Sequence, residues 1–147
     1  MRIKELSLEI KTLGKARLRS GVYIYIGSAQ GPGGLGARIG RYLHGPAKTR
    51  WHIDYIVRRR DLVEILGAVF AITKRRRLEP LLFKELSRLG FMIMIEGFGS
   101  TDYGRKGYSH LLKAPTEELN QVISLIVKAM RRLNLSPRTV LFIQHDL

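Results

Sequence analysis

Hydrophobic and polar residues alternate at the start of the chain in the manner of β-strands. Alternation is adequate in RIKELSLEIK (residues 2–11) and strict in GVYIYIG (21–27), and LGKARLRSG (13–21) predicts a hairpin-like connection between them. The apolar positions of the second strand are Val22, Ile24 and Ile26, and its opposite face carries Tyr23 and Tyr25.

Four further segments have helical periodicity or helix punctuation. They are LGARIGRYL (35–43), WHIDYIVRR (51–59), EPLLFKELSRLG (79–90) and TEELNQVISLIVKAMRRLN (116–134). HGP (44–46) stops the first helix, Pro80 and Gly90 mark the two ends of the third, and Thr116 is the predicted N-cap of the fourth.

Three more apolar stretches predict strands between and after these helices. They are LVEILGAVFAIT (62–73), expected to be long and buried, FMIMIEGFGS (91–100), expected to run into a glycine turn, and TVLFIQH (139–145). The mixture predicts an α+β fold, an α/β sandwich with a small antiparallel or mixed sheet flanked by helices.

Composition narrows the class of protein. The 147 residues are 45% hydrophobic, which is enough for the core of a single domain covering residues 1–147. No apolar run is long enough to span a bilayer, so we expect a cytoplasmic protein without a membrane partner. The absence of cysteine excludes disulfides, thiolate nucleophiles and cysteine-based zinc sites.

Positive charge is concentrated in the first part of the chain. Residues 1–60 hold 13 basic and 3 acidic side chains, and no acid occurs between Glu9 and Asp54. Such an imbalance is typical of proteins that bind polyanions, and nucleic acid is the partner it most often indicates. The basic residues of the acid-free segment are Lys11, Lys15, Arg17, Arg19, Arg38, Arg41, Lys48 and Arg50.

A glycine-rich run between the YIYIG strand and the first helix is open to two interpretations. Gly31 to Gly36 matches the dinucleotide fingerprint G-x-G-x-x-G, with Asp54 as a possible ribose-binding acid. The following helix is short for that motif, and Asp54 lies in a segment with helical character. The other interpretation is a tight turn that uses glycine for its backbone freedom.

The first helix has two predicted faces. Leu35, Ile39 and Leu43 fall on one side, while Arg38, Arg41 and Tyr42 fall together on the other and form a basic, aromatic surface suited to a phosphodiester. Gly36 and Gly40 predict a shallow surface that another backbone can approach.

Several separate pieces of the chain resemble the GIY-YIG nuclease superfamily. Tyr25-Ile26-Gly27, Ser28-Ala29, the glycine-rich turn and LGARIGRYL resemble the second half of its motif. RWHIDYI (50–56), RLE (77–79), GFGSTD (97–102) and SHLL (109–112) resemble one microbial branch, a domain of unknown function sometimes described together with endonuclease III. The resemblance covers about residues 10–112, followed by a C-terminal helix and strand over 115–144.

This resemblance implies a divalent-metal-dependent cleavage of phosphodiester bonds. A tyrosine oxygen assists deprotonation of water, an arginine stabilises charge on phosphate, and a carboxylate holds the metal. By position, Tyr25 with Tyr23 would line the site, Arg38 would contact the scissile phosphate, and Glu79 would bind Mg²⁺ or Mn²⁺. Glu79 also suits a purely structural role in the first turn of a helix.

The remaining candidate residues are predicted nucleic-acid contacts or second-tier site residues. Arg41, Tyr42, Lys48 and Arg50 are predicted nucleic-acid contacts, with DNA favoured over RNA and a DNA-repair protein as a further partner. His52, Asp54 and His110 are second-tier candidates, and His52 and Asp54 are spaced too closely to share one helix face.

Two features of the chain depart from the superfamily pattern. RIKELSLEI contains no tyrosine where an upstream GIY strand would supply one, and Tyr103, Gly104 and Arg105 replace the cysteines that the microbial branch often has. The expected function is therefore that of a metal-dependent endonuclease acting on DNA, and the alternative is a DNA- or RNA-binding module on the same fold without hydrolysis. A nucleotide-cofactor enzyme is the third possibility.

Overall fold

The computed structural model describes residues 1–29, 33–46, 48–99 and 106–142 of the chain. Within them are four helices: α1 (Gly34–His44), α2 (Asp54–Val57), α3 (Glu79–Arg88) and α4 (Leu119–Arg132). The strands are β1 (Arg2–Ile3), β2 (Leu6–Ile10), β3 (Gly14–Leu18), β4 (Gly21–Tyr25), β5 (Val63–Glu64), β6 (Gly67–Phe70), β7 (Met92–Ile93), β8 (Leu111–Lys113) and β9 (Arg138–Leu141).

The strands form three antiparallel sheets. A five-stranded sheet has the order β5-β1-β4-β8-β7, β2 pairs with β3 as a hairpin, and β6 pairs with β9. This confirms the predicted α+β class. All pairs among the described strands are antiparallel, whereas a dinucleotide-binding fold requires parallel strands, so this pairing argues against the dinucleotide interpretation of the glycine run. No helix in the described ranges is both long and apolar enough to cross a membrane.

Strand β4 is the centre of the fold and is covered on both faces. Val22 and Ile26 belong to a hydrophobic cluster with residues of α3 and α4, whereas Tyr23 belongs to a second cluster with residues of the β2–β3 hairpin and α2. The predicted alternation of β4 is therefore confirmed, but its tyrosine face is part of the core as well. Tyr25, at the end of the strand, is only partly buried.

The structure corrects several predicted elements. The first strand breaks after Ile3, so that 2–3 and 6–10 join different sheets, and part of the predicted connection is β3. The long buried strand over 62–73 is two short strands followed by an exposed Ile72. These stretches were misjudged because their strand partners lie far away in sequence, which local periodicity cannot reveal.

The ends of two other elements also differ from the prediction. Glu118, not Thr116, caps α4, because its carboxylate accepts hydrogen bonds from the backbone N–H groups of Asn120 at 3.2 Å and Gln121 at 3.1 Å. The strand predicted over 91–100 is limited to Met92–Ile93. Residues 30–32 of the glycine run, 100–105 after GFG and 143–147 of the last strand lie outside the described residues.

Tyr23 gives the core a measurable sensitivity to alkaline pH. Its side chain is fully buried, and its hydroxyl donates a hydrogen bond to the carbonyl oxygen of Arg19 at 2.7 Å. Burial raises the pKa of Tyr23 from 10.0 to about 12. The unfolded chain therefore loses this proton first, and the free energy of unfolding is expected to fall as the pH rises from 10 towards about 12.

Urea unfolding over this pH range tests the effect in the wild type and in Tyr23→Phe. The variant is expected to lose about 1 kcal/mol at neutral pH with its hydrogen bond, and to show a shallower alkaline decline. Equal alkaline slopes in the two proteins would contradict the assignment.

Candidate functional site

The site begins where β4 gives way to α1. Gly33, just before the helix, has φ 82°, a left-handed conformation that suits glycine. The helix presents Leu35, Arg38, Ile39 and Tyr42 to one cavity, at the spacing of three and four residues that defines one helix face. This corrects the predicted division, because Arg38 and Tyr42 share the inner face with the apolar residues and do not lie on an outer polar one.

The two glycines inside α1 face open space. Apart from the helix itself, a β-carbon placed at Gly36 or Gly40 would meet no described atom within 4 Å, so no other described backbone approaches the helix there. The approach of another backbone to this surface stays a prediction.

One cavity of about 520 Å³ is lined by Tyr23 and brings together four further residues that the sequence singled out. Tyr25 comes from the end of β4, Arg38 and Tyr42 from α1, and Glu79 from the first turn of α3. The rest of the lining is largely apolar. These four residues span 55 positions of sequence, so their convergence is a property of the fold.

Tyr25 is held by aromatic neighbours. The centre of its ring lies 6.2 Å from the ring centre of Tyr42, 6.1 Å from that of Phe98 and 6.1 Å from that of His110, each with an edge-to-face geometry. Such contacts fix ring orientation and stabilise a pair by about 0.5–1.5 kcal/mol beyond burial alone. The Tyr25 side chain is therefore rigidly placed at the cavity.

The segments around Phe98 and His110 are joined by backbone hydrogen bonds. The N–H of Gly97 donates to Tyr108 and that of His110 donates to Phe98, both at 2.8 Å. Gly99 follows with φ 70°, and a β-carbon there would lie 3.2 Å from the Tyr25 hydroxyl. The left-handed backbone conformation and the close approach of Tyr25 both explain why residue 99 is a glycine.

Burial controls the protonation of the two tyrosines. It raises the pKa of Tyr25 well above the ordinary value, with Tyr42 adding to the rise and the positive charge of Arg38 opposing it. Burial likewise raises the pKa of Tyr42, again against the influence of Arg38. Both hydroxyls are therefore neutral at physiological pH.

Glu79 lies at the start of α3 and is partly buried on the cavity wall. Its negative charge is close enough to contribute to the raised pKa of Tyr25. The same position lets it interact favourably with the helix dipole, so the structural role expected for an acid in a first turn is also present. In the described residues no group of three or more acids and histidines is placed to hold a metal ion.

Trp51 is surrounded by guanidinium groups beside the cavity. The Cζ atoms of Arg38, Arg41 and Arg50 lie 4.6, 4.7 and 5.7 Å from the centre of its ring. Cation–π contacts of this kind contribute about 0.5–1 kcal/mol at exposed sites. Trp51 itself is 38% exposed, so the arrangement concentrates three positive charges at the surface.

Asp54 organises this arginine cluster from beneath. Its buried Oδ2 accepts hydrogen bonds from Nη2 of Arg41 at 2.6 Å and from the backbone N–H groups of Arg50 and Trp51 at 2.8 Å each. The same contact with Arg41 is an ion pair. Asp54 thus has a structural explanation, and it does not line the cavity.

The two histidine candidates are engaged within the fold. Nδ1 of His52 accepts the backbone N–H of Gly99 at 2.8 Å, so Nε2 carries the proton and donates to Oγ1 of Thr12 at 2.8 Å. His52 therefore connects the β2–β3 turn with the GFG segment. His110 is buried, and its ring packs edge-to-face against Tyr25 and Tyr108.

Three other predicted residues have different surroundings from these four. Tyr23 lines the cavity, but its side chain is fully buried and its hydroxyl donates a hydrogen bond to the carbonyl oxygen of Arg19, which does not favour a role in chemistry. Lys48 and Arg50 are exposed and lie outside the cavity lining, where they can still contact a long polyanion.

Three residues near the cavity were not predicted from the sequence. Trp51 could have been identified as the single tryptophan of the chain, adjacent to Arg50 in the acid-free segment. Arg75 and Arg77 line the same cavity and belong to a run of four cations just before Glu79. The run of cations is recognisable in the sequence, but its position close to the YIG strand could not be predicted from the sequence.

Comparison with known proteins identifies the family. The model of the family described as "Domain of unknown function DUF123" matches residues 1–134. No curated protein and no solved structure matches the chain. Because the matched residues make up most of its length, the chain belongs to the DUF123 family.

Proposed function

We propose that this protein binds nucleic acid, DNA in preference to RNA, and hydrolyses its phosphodiester bonds with a divalent metal ion in the manner of GIY-YIG nucleases. The observation that carries the proposal is the convergence of Tyr25, Arg38, Tyr42 and Glu79 on one cavity at the edge of a strongly basic surface. These are the residue types that phosphodiester hydrolysis requires: a hydroxyl, a guanidinium and a carboxylate.

Arg38 is the proposed phosphate ligand. It lines the cavity, and its guanidinium rests against Trp51, which limits the rotamers it can adopt. A guanidinium held in advance stabilises the charge that develops on phosphate with little reorganisation. Its five N–H donors allow it to keep the stacking contact while it binds phosphate oxygens.

Tyr25 acts in its protonated form. Because burial raises its pKa, tyrosinate is scarce at neutral pH and the residue is a poor proton acceptor. The hydroxyl can instead orient the attacking water or donate a hydrogen bond to a phosphate oxygen. This refines the expectation from the resemblance, in which a tyrosine oxygen assists deprotonation.

Glu79 is the proposed metal ligand. A partly buried carboxylate on the wall of a cavity that also holds a guanidinium fits Mg²⁺ or Mn²⁺, which commonly bind through one or two carboxylates together with water and substrate phosphate. The bound ion would supply positive charge for the phosphate oxygens. Glu79 would hold it, and the apolar remainder of the cavity would limit access of bulk water.

A nucleic-acid-binding module without hydrolysis is the second candidate. It is favoured by the position of Tyr23, because only one of the two predicted tyrosines, Tyr25, has a partly exposed side chain at the cavity. Such a protein would bind with a steep dependence on salt and would not cleave.

A cleavage assay distinguishes the two candidates. Labelled duplex, branched and single-stranded DNA and RNA are incubated with the wild type in the presence of Mg²⁺, Mn²⁺ or a chelator. We expect metal-dependent cleavage that Glu79→Gln reduces by about 100-fold with binding retained.

Glu96→Gln is the matched control, because Glu96 is an exposed acid that does not line the cavity. Retention of full cleavage in Glu79→Gln would reject the metal assignment. Binding by the wild type without cleavage under any metal condition would select the binding module.

A further inference from the structure

A second group of cations borders the cavity on a different element from α1. Lys74, Arg75, Arg76 and Arg77 are consecutive and exposed, and no acid occurs between Glu64 and Glu79. We call these four residues the second basic cluster, and Arg38, Arg41, Lys48 and Arg50 the first. The side chains of Arg75 and Arg77 line the same cavity as Arg38.

The second basic cluster is held in a defined conformation. The guanidinium of Arg75 donates a hydrogen bond to the carbonyl oxygen of Leu133, just after α4, and its backbone N–H donates to Oγ1 of Thr73 at 3.1 Å. Arg77 has φ 57°, a left-handed conformation that costs a residue other than glycine about 1–2 kcal/mol. The contact with Leu133 thus positions the Arg75 side chain, and the surrounding structure holds the Arg77 backbone against its local preference.

Two members of this cluster, Lys74 and Arg76, differ from most other surface arginines in their surroundings. Arg17, Arg59, Arg88 and Arg132 pair with acidic residues. Lys74 and Arg76 form no ion pair with any residue in the described ranges, and Arg75 uses a carbonyl as its partner. The positive charges of Lys74 and Arg76 are therefore available to a polyanion.

The size of the cavity limits what can lie between the two clusters. About 520 Å³ is within the range of pockets that hold small molecules, which is enough for one or two nucleotides but not for a double helix. Aliphatic and aromatic side chains form much of the remaining wall. Such a surface suits nucleobases that have separated from their complement.

We propose that the second basic cluster binds the backbone of the same strand as Arg38, so that a single strand without its complement passes through the cavity between the two clusters. This inference rests on the proposed function, in that it takes nucleic acid as the ligand, and it specifies a single-stranded region as the part that enters the site. It does not depend on whether the strand is then hydrolysed.

Binding measurements over a series of KCl concentrations test the proposal. Fluorescence anisotropy follows a labelled single strand of about 20 nucleotides, and a blunt duplex of the same sequence, with the chelated wild type so that no strand is cut. The main variant is Arg75→Gln with Arg77→Asn, because asparagine tolerates the left-handed conformation. Lys128→Gln with Arg131→Gln on α4 removes the same charge from exposed positions outside the cavity lining.

The main variant is expected to bind the single strand about tenfold more weakly, and its log–log salt slope is expected to fall in magnitude by about 1.4, or about 0.7 for each lost phosphate contact. Lys74→Gln with Arg76→Gln, which breaks no hydrogen bond among the described residues, is expected to weaken binding in the same direction without loss of thermal stability. The α4 control is expected to leave the affinity within a factor of about two.

Three results would overturn the inference in distinguishable ways. Equal losses in the cavity variants and the α4 control would reject the second basic cluster and leave the proposed function standing. Tighter binding of the blunt duplex than of the single strand would reject the single-stranded path. Failure of the wild type to bind either nucleic acid would reject both the inference and the proposed function.

Discussion

Replacing Arg38 by alanine is expected to reduce the proposed metal-dependent cleavage by a factor of about 100 to 1,000, because it removes the only α1 guanidinium that lines the cavity in the described part of the chain. The loss should appear mainly in kcat, since the contact with phosphate strengthens as charge develops in the transition state. Single-turnover cleavage of labelled DNA measures the effect. Unfolding in urea checks that the fold is intact.

Arg58→Ala is the matched control for this prediction. Its guanidinium also stacks on an aromatic ring, that of Tyr55 at 5.1 Å, but it does not line the cavity. We expect its activity to stay near that of the wild type. Comparable losses in both variants would show that general positive charge, and not the placement of Arg38, governs the rate.

Replacing Asp54 by alanine is expected to lower the free energy of unfolding by about 3–5 kcal/mol. The substitution leaves the Arg41 guanidinium without its carboxylate and removes the acceptor of the Arg50 and Trp51 N–H groups. Asp54→Asn is expected to lose less, because its amide oxygen can still accept the two backbone hydrogen bonds. Urea unfolding measures both.

Asp61→Ala provides the comparison, because Asp61 pairs with Arg59 through the same groups on the protein surface. Solvent screens an exposed pair of this kind, so its effect on stability should be small. If Asp54→Ala and Asp61→Ala had equal effects on stability, the structural account of Asp54 would be wrong.

Helices were predicted where the signals lie within the segment itself. The start and stop of α1 follow from a glycine before it and Gly45 after it, and α3 begins beside Pro80. Strands that pair with distant segments were harder to predict from the sequence. A β-carbon at Gly67 would lie 2.4 Å from the carbonyl oxygen of Val140, so this glycine is needed for a pairing some seventy residues away, and nothing local indicates it.

Four candidate residues that were selected by residue type and motif lie close together in the structure. Tyr25, Arg38, Tyr42 and Glu79 were all singled out and are all at one cavity. Asp54 was ambiguous because a buried acid can serve a ribose, a metal or an arginine equally well, and only its position beneath Arg41 decides among them. Tyr23 also lines the cavity, but its side chain is fully buried because β4 is covered on both faces, and a tyrosine in the sequence does not reveal whether its hydroxyl will be exposed.

The position of Trp51 gives the protein an intrinsic optical reporter. Because the chain has a single tryptophan, all of its indole emission originates among Arg38, Arg41 and Arg50. A ligand that draws these guanidiniums away from the ring changes the surroundings of that one fluorophore. Occupancy of the basic surface can thus be followed on the unlabelled protein, without a probe that would itself add charge or bulk beside the site.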